Sequence, residues 1–440
     1  MSPEALAELV SRLAGIRADE APPPAEARRA VRDVVVVGSS SRGGSSIFAE
    51  ILRRSPALVH LRAEINPFLV MHGLGYPLSQ TGSDALGPRP EAELDAVGEA
   101  LAWDLGGPCD RLADEQDRRR FARDLAARLS LQWTGERFEV AELYAHVAAL
   151  TAEGAGVAGG RLVDLDAFHA RLLARLRDDH PSINPYYYDL PPAVVRAACP
   201  GAPPAEGPPG EFLVEEPPFV CIRPWRRVSL EELESRPVVV KTPSNAYRLP
   251  FLRQLFPDAR LRLLHLTRNV AASVNGLYDG WRYPGFYAHR LPVVLSIGGY
   301  SDLAGGYGER WWKFDLPPGW REMVTAPLEE VCAFQWRSAH AALLAEAPPD
   351  VLRLRFEDVV GAVDARASVA RALGDWLGTG DDPPLRQALE RGLPPVMATS
   401  APRRQRWFSR ALQLGPVLLD ARNQKLMKEL GYAPDPATWT

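Results

Sequence analysis

The feature that most constrains the fold is a run of four valines, Val34–Val37, followed by a loop of small residues. A continuous β-branched run is typical of a strand that is buried on both faces of a parallel sheet. The loop Gly38–Ser46 contains only glycine and serine apart from Arg42, and apolar residues at helical spacing follow over 47–52. Strand, small-residue loop and helix together predict a turn that can bind phosphate through backbone N–H groups.

Further strands are indicated along the chain by apolar runs that precede helical patterns. They are Val238–Val240, Leu261–Leu266 and Val351–Phe356, with another apparent strand at Leu58–Leu61. Strands that alternate with helices favour a parallel sheet covered on both faces. We therefore predict an α/β fold, a P-loop-like doubly wound parallel sheet flanked by helices.

The domain organisation is predicted from composition. Residues 1–30 combine apolar positions at helical spacing with a proline run, which predicts an N-terminal helix and a linker. We predict one α/β domain over 31–440, with large, mostly helical insertions at about 85–220 and 282–327. These insertions are expected to form an acceptor pocket or a lid.

Overall charge and residue usage exclude several classes of protein. A net charge of −4 gives no global attraction to nucleic acid, so no nucleic-acid partner is expected and any anion site must be a local basic cluster. There is no long apolar stretch and no secretory signal pattern, which predicts a cytoplasmic protein without a membrane span. The four cysteines are scattered, and the histidines lack metal-ligand spacing, so we expect reduced thiols and no metal.

The glycine-rich loop differs from the loop of ATP- and GTP-binding proteins at one informative position. Gly38, Gly43 and Ser45 match the pattern GxxxxGK[ST], but Gly44 replaces its lysine. That lysine holds the β- and γ-phosphates, so its absence argues against a kinase or an ATPase. Arg42 supplies a cation two residues earlier. A plain small-residue turn would have the same pattern.

A second basic position follows a later strand. Arg268 comes two residues after the end of the run Leu261–Leu266 and before a helical pattern. Ligands bind at the carboxyl ends of parallel strands, and a guanidinium can hold a phosphate with two hydrogen bonds. A surface arginine capping a strand would look the same.

Taken together, these clusters resemble the sulfotransferases that use 3′-phosphoadenosine 5′-phosphosulfate (PAPS). In that family an RSGT[ST]-type loop binds the 5′-phosphosulfate and an RNP-type segment binds the 3′-phosphate. The similar segments here are Arg42, Gly43, Gly44, Ser45 and Ser46 for the loop; Arg268-Asn269-Val270 for the RNP-type segment; Val240–Leu252 for the KTP/KDP segment of the bacterial, Golgi-type and tyrosylprotein branches; and Leu354–Val359 for a late RYEDL segment.

The resemblance implies an activity and its participants. PAPS would be the co-substrate, adenosine 3′,5′-bisphosphate the product, and the acceptor a hydroxyl of a small molecule such as a secondary metabolite, glycoside or lipid. Glu64 lies 22 residues after Arg42, as in branches whose catalytic base is a glutamate. Thr242 stands where the phenol-type enzymes carry a histidine base, so Glu64 is preferred. Lys241 ends a predicted strand at the same edge of the sheet, so it could neutralise charge on the leaving phosphate oxygen or be a solvated lysine. Glu64 could also be a helix N-cap or pair with Arg62.

Parts of the implied site remain open. Gly276 stands where the family has its second serine, which leaves Ser273 or Asn275 to complete the 3′-phosphate site. Arg404 and Arg406, in a late basic cluster, could finish the nucleotide site or form a solvated patch. Aromatic residues could line the acceptor pocket or belong to the core; they are Tyr186–Tyr188, Tyr278, Trp281, Trp311 and Trp312.

Two other functions compete with this interpretation. One is a P-loop-type phosphotransferase, which would require a lysine at position 44 or a carboxylate-bound magnesium ion. The other is a catalytically inactive nucleotide-binding protein. The presence of Arg42, Glu64, Lys241 and Arg268 together favours an enzyme. Oligomeric state is not predicted.

Overall fold

The structure is a computed structural model that describes residues 3–79 and 81–439. The strands in these residues are β1 (Asp33–Gly38), β2 (Val59–His60), β3 (Gly106–Pro108), β4 (Val157–Ala158), β5 (Arg161–Leu162), β6 (Trp225–Arg227), β7 (Val238–Lys241), β8 (Arg260–Thr267), β9 (Tyr287–Arg290), β10 (Trp311–Lys313) and β11 (Leu352–Arg355). The α-helices are α1 (Pro3–Ile16), α2 (Ala27–Ala30), α3 (Ser45–Leu52), α4 (Asn66–Met71), α5 (Glu91–Ala102), α6 (Glu115–Gln132), α7 (Val140–Ala152), α8 (Leu165–Asp179), α9 (Pro192–Ala198), α10 (Leu230–Ser235), α11 (Leu249–Leu255), α12 (Val270–Arg282), α13 (Leu328–Ala345), α14 (Phe356–Val359), α15 (Val363–Leu377), α16 (Pro383–Arg391), α17 (Ala411–Leu418) and α18 (Ala421–Glu429).

A seven-stranded sheet organises the molecule. Its strand order is β11-β8-β1-β7-β2-β3-β6, and the first five strands are parallel. The strands predicted from apolar runs are all present in it, so the predicted α/β fold with a doubly wound sheet is confirmed.

The valines of β1 explain why the sheet is covered on both faces. Val34 and Val36 belong to one hydrophobic core, whereas Val35 and Val37 belong to another. All four are fully buried. Because successive side chains of a strand point to opposite faces, this unbroken apolar run requires helices on each side. Phe48 of α3 packs in the same core as Val35 and Val37.

One side of the sheet departs from the prediction of a wholly parallel arrangement. Strand β3 runs antiparallel to β2, and β6 runs antiparallel to β3. The residues of β3 are Gly106-Gly107-Pro108, which carry no alternating apolar pattern. This strand forms because it pairs with β2 and β6, which are distant in the sequence, so no local pattern predicts it.

The region at 85–220 contains α5 to α9, and buried residues between Leu112 and Ile222 form a separate hydrophobic core. The N-terminal helix α1 packs on the main domain, because Leu6, Leu9 and Leu13 are buried in the same core as Val34. The proposed boundaries at 30 and 31, and the treatment of 85–220 and 282–327 as insertions, remain predictions.

The register of the central strands brings three loops to one edge of the sheet. Val37 lies beside Lys241 of β7 and beside Leu264 of β8, and all three strands are parallel. The segments that follow β1, β7 and β8 therefore leave the sheet on the same side. None of the helices in the described parts of the chain is long and apolar enough to cross a membrane.

Candidate active site

A cavity of about 740 Å³ opens at this edge of the sheet. Its size lies in the usual range for small-molecule sites. It brings together most of the residues predicted from the sequence; those in its wall are Arg42, Gly44, Ser45, Ser46, Glu64, Lys241, Arg268, Arg404 and Arg406. Gly43 and Ser273 are not among the wall residues.

The small-residue loop is held in a conformation that glycine permits. Gly44 has φ of 97°, in the left-handed region, and a Cβ atom there would lie 2.2 Å from the ring of Phe356. The N–H of Gly43 donates to the Ser40 carbonyl at 3.0 Å, which closes a tight turn before α3. Glycine is therefore favoured at positions 43 and 44, because a Cβ atom at either position would be too close to neighbouring atoms.

Two guanidinium groups converge on the cavity from different strands. Nη1 of Arg268 donates to the backbone carbonyl of Arg42 at 2.9 Å. Nη1 of Arg42 donates to the Met397 carbonyl at 2.6 Å. The guanidinium of Arg42 lies 5.0 Å from the ring centre of Phe286, and that of Arg268 lies 4.9 Å from the ring centre of Phe356. Neither arginine forms an ion pair with a carboxylate of residues 3–79 or 81–439.

The electrostatics of this pair favour an anion. Burial, and to a lesser extent the nearby positive charges of Arg268 and Arg406, lower the pKa of Arg42 to about 10. Burial also lowers the pKa of Arg268. Largely buried cations that repel each other are stabilised when an anion binds between them. Arg406 is partly neutralised, since it forms an ion pair with Asp279.

A second charged group lies beside the loop. The ammonium of Lys241 donates to the Glu64 carboxylate and also to the Ser46 hydroxyl, the latter at 3.0 Å. Lys241 ends β7, Glu64 follows β2, and Ser46 begins α3. The predicted base and the predicted cation are therefore in direct contact, at the end of the loop.

The two alternatives for completing the 3′-phosphate site occupy different environments. Ser273 is fully buried, and its hydroxyl faces the Arg268 carbonyl at 3.5 Å. Asn275 and Gly276 line the cavity. The side-chain oxygen of Asn275 accepts a hydrogen bond from Arg410 at 2.6 Å.

Several wall residues were missed by sequence reasoning. Glu216 lines the cavity, and burial raises its pKa to about 8. Asp315 also lines it and accepts hydrogen bonds from the hydroxyls of Ser41 and Tyr247. Burial raises the pKa of Asp315 to about 6 despite those bonds. Both acids come from segments without helical or strand periodicity, so only their acidity amid apolar neighbours could have indicated them.

The aromatic residues named from the sequence lie in the hydrophobic cores. Trp281 and Trp312 pack edge to face with ring centres 5.0 Å apart, and both are fully buried. The core alternative is therefore the one the structure supports for them. Other aromatic residues line the cavity, namely Phe286, Phe314, Phe356 and Trp407.

Glu357 fixes the turn that carries Arg268. Its carboxylate accepts hydrogen bonds from the backbone N–H of Asn269 at 3.0 Å and from the Asn269 side chain at 2.7 Å. The hydroxyl of Tyr432 donates to its other oxygen at 2.8 Å. These contacts anchor the start of α12, where Asn269 also caps the helix by accepting from the Ala272 N–H.

A possible metal-ligand group lies away from the cavity. Glu142, His146 and Asp179 place one ligand atom each within 4.8 Å of one another, on α7 and α8. None of the three lines the cavity. The absence of a metal from the reaction remains a prediction.

Comparison with known proteins gives two solved structures and no sequence-level relative. The sulfotransferase domain from the curacin biosynthetic pathway is similar with a TM-score of 0.40 and 12% identity, covering 92% of this chain and 99% of that one. The sulfotransferase STF1 from Mycobacterium tuberculosis H37Rv has a TM-score of 0.29 and 14% identity, covering 88% and 87%. Neither protein-family models nor curated proteins match the chain. At these values, the function proposed below depends on the site.

Proposed function

We propose that this protein is a sulfotransferase that moves a sulfuryl group from PAPS to a hydroxyl of a small-molecule acceptor. The observation that carries the proposal is the pair of largely buried guanidiniums, Arg42 and Arg268, which face one cavity without carboxylate partners among the described residues. A donor with phosphate groups at both ends of one nucleoside needs two such anion sites.

The wall residues fit that donor. Arg42, the N–H groups at the start of α3 and the hydroxyls of Ser45 and Ser46 would bind the 5′-phosphosulfate. Arg268, with Asn275 or Ser273, would bind the 3′-phosphate. The close approach of the backbone at Gly44 supports this assignment, because a side chain there would collide with the ring of Phe356.

The late basic cluster would contribute to the same site. Arg404 is exposed and Arg406 is partly buried, and both lie in the cavity wall. Their charges would add to the attraction for the two phosphate groups, with Arg406 already held in place by Asp279.

The chemical step follows from the contact between Glu64 and Lys241. The acceptor hydroxyl gives its proton to the Glu64 carboxylate, and its oxygen forms a bond to sulfur. The bond between sulfur and the bridging phosphate oxygen breaks, and that oxygen keeps the electron pair as adenosine 3′,5′-bisphosphate leaves. Lys241, within hydrogen-bond distance of Ser46 in the loop, neutralises the developing charge.

The two competing functions are separable by ligand choice. Adenosine 3′,5′-bisphosphate is expected to raise the melting temperature without Mg²⁺, whereas ATP with Mg²⁺ is not. The reverse result would favour a phosphotransferase. Transfer of labelled sulfate from PAPS to an acceptor panel then distinguishes an enzyme from an inactive nucleotide-binding protein. A small-molecule acceptor, a cytoplasmic location and the absence of nucleic-acid partners remain expectations.

A further inference from the structure

One carboxylate of the cavity wall, that of Glu216, differs from the others in its contacts. Glu216 is partly buried in the wall and forms no ion pair with any residue in the described parts of the chain. Its hydrogen-bond contact is with the side-chain N–H of Asn66, at 3.4 Å, which is long for a hydrogen bond. A carboxylate removed from bulk water without a cation is costly, so this group has unused binding capacity.

Three other carboxylates of the wall have partners within the chain. Glu215, the neighbour of Glu216 in sequence, pairs with Arg128 at 2.7 Å, and both side chains are almost fully buried. Glu64 pairs with Lys241, and Asp315 accepts two hydroxyl hydrogen bonds. The contrast with these three groups indicates that the partner of Glu216 comes from outside the chain.

The position of Glu216 is defined by a network behind the wall. Arg248 donates to the side-chain oxygen of Asn66 and so turns its N–H₂ group toward Glu216. Arg248 is in turn paired with Asp84 at 3.2 Å, and the Asp84 carboxylate lies 3.5 Å from His289. Glu216 lies on the same side of the cavity as Glu64, because it is next to Asn66, two residues beyond Glu64, and is near enough for the charge of Glu64 to raise its pKa.

We propose that Glu216 binds a cationic group of the acceptor, so that the preferred acceptors carry an amine, protonated at neutral pH, besides the hydroxyl that is sulfated. The inference rests on the proposed function, because it assigns the Glu64 side of the cavity to the acceptor. An ammonium that reaches Glu216 would supply the missing ion pair and fix the acceptor's orientation beside Glu64.

The charges around Glu216 agree with a cationic ligand. Burial raises the pKa of this carboxyl to about 8; the neighbouring charges of Asp84 and Glu64 raise it, while those of His289 and Arg248 lower it. An ammonium would favour the ionised carboxylate, and a neutral ligand would leave the protonated form in place. Replacing Glu216 with glutamine keeps the shape of the protonated form and removes the ability to ionise.

The test compares two phenols that share the acceptor hydroxyl and differ in charge. Tyramine carries an ammonium where 4-propylphenol carries a methyl group. Calorimetric titration of the nucleotide-free protein is expected to show tyramine binding about tenfold or more tightly than 4-propylphenol. In Glu216→Gln the two ligands are expected to bind equally, while 4-propylphenol keeps its wild-type affinity and so shows that the cavity is intact.

The outcomes separate this inference from the proposed function. Equal binding of the two phenols by the wild-type protein, or a preference for tyramine that survives in Glu216→Gln, would overturn the role of Glu216. The same phenols are then tested as acceptors with PAPS. A preference for tyramine in a protein that does not bind adenosine 3′,5′-bisphosphate supports the cation site and rejects the sulfotransferase proposal. Sulfate transfer to the phenols, with equal binding of the two by the wild-type protein, supports the sulfotransferase proposal and rejects the cation site.

Discussion

Arg268 donates a hydrogen bond of 2.9 Å to the backbone carbonyl of Arg42, although the two residues are 226 positions apart in the chain. The bond joins the loop after the central strand to the turn after its neighbour. It brings two cations to one cavity, and their mutual repulsion is one cause of the lowered pKa of Arg42. This relationship is the basis of the proposed anion site.

Replacing the proposed base should impair the chemical step and spare donor binding. In Glu64→Gln we expect kcat to fall by about 10²- to 10⁴-fold, the usual contribution of a general base. The affinity for adenosine 3′,5′-bisphosphate should change little, because Glu64 contacts Lys241 and lies outside the arginine pair. Steady-state kinetics with PAPS and calorimetry with the product measure the two effects. Glu231→Gln, on an exposed helix position, is the matched control; equal losses in both variants would contradict the assignment.

Lys241 is expected to act on the leaving group. Truncation in Lys241→Ala removes the cation that reaches both Glu64 and Ser46, and kcat should fall by about 10²- to 10³-fold. Ser46→Ala removes one hydroxyl and retains the cation, so its effect should be smaller. Rates for the two variants at saturating PAPS test this order. A larger loss in Ser46→Ala would show that the hydroxyl, and not the ammonium, carries the effect.

The two alternatives for the 3′-phosphate site make opposite predictions. Asn275 lines the cavity, whereas the Ser273 hydroxyl faces a backbone carbonyl within the core. We expect Asn275→Ala to weaken binding of adenosine 3′,5′-bisphosphate by about tenfold and Ser273→Ala to leave it within twofold. Calorimetric titration of both variants decides between them, and the reverse order would assign the 3′-phosphate site to Ser273.

The loop should not tolerate a side chain at position 44. An L residue in the left-handed region costs roughly 1–2 kcal/mol. The added Cβ would also meet the ring of Phe356 in Gly44→Ala. We expect both a lower melting temperature and weaker product binding. Gly15→Ala in α1, where a Cβ would meet nothing within 4 Å, is the control and should be neutral or stabilising. Unchanged product affinity in Gly44→Ala would contradict the account of the loop.

A buried histidine pair should make the fold sensitive to acid. Nε2 of His265 lies 2.9 Å from Nδ1 of His340, and both rings are fully buried. Burial lowers the pKa of His340 to about 3, and burial together with His340 lowers that of His265. Because the unfolded chain binds these protons near pH 6.5 and the folded chain does not, stability is full above pH 6.5. It falls below that pH by about 1.4 kcal/mol per pH unit for each histidine.

The variant His340→Gln tests this linkage. Its free energy of unfolding in urea should fall less steeply between pH 6.5 and pH 5 than that of the wild-type protein, by about 1–2 kcal/mol over the interval. Two other buried histidines have lowered pKa values, about 3 for His60 and about 4 for His169, so part of the slope should remain. An identical slope in the two proteins would mean that His340 is protonated in the folded state.

The parts of the fold that could be predicted are those with a local cause. Val34–Val37 form a central strand because an unbroken apolar run can be buried only between two layers of helices. Arg42 and Arg268 were expected at one edge because parallel strands end together there. Predicting these two features requires only the position and direction of the strands, and no knowledge of contacts between distant segments.

The remaining parts depend on contacts between distant segments. Glu216 lies in a proline-rich stretch without periodicity, and its place in the wall depends on contacts such as that with Asn66. Met397, which accepts from Arg42, belongs to a loop that is likewise fixed by long-range contacts. The antiparallel strand Gly106–Pro108 has no strand-forming residues of its own. No local pattern in the sequence could place these segments in the fold.

The proposed anion site is best tested by calorimetric binding of adenosine 3′,5′-bisphosphate to the wild-type protein, Arg42→Ala and Arg268→Ala, with Arg253→Ala as an exposed-arginine control. We expect tight binding without Mg²⁺ to the wild-type protein and to the control, and a loss of about 10- to 100-fold in each site variant, because each removes a charge-assisted contact to phosphate. Full affinity in both site variants would contradict it.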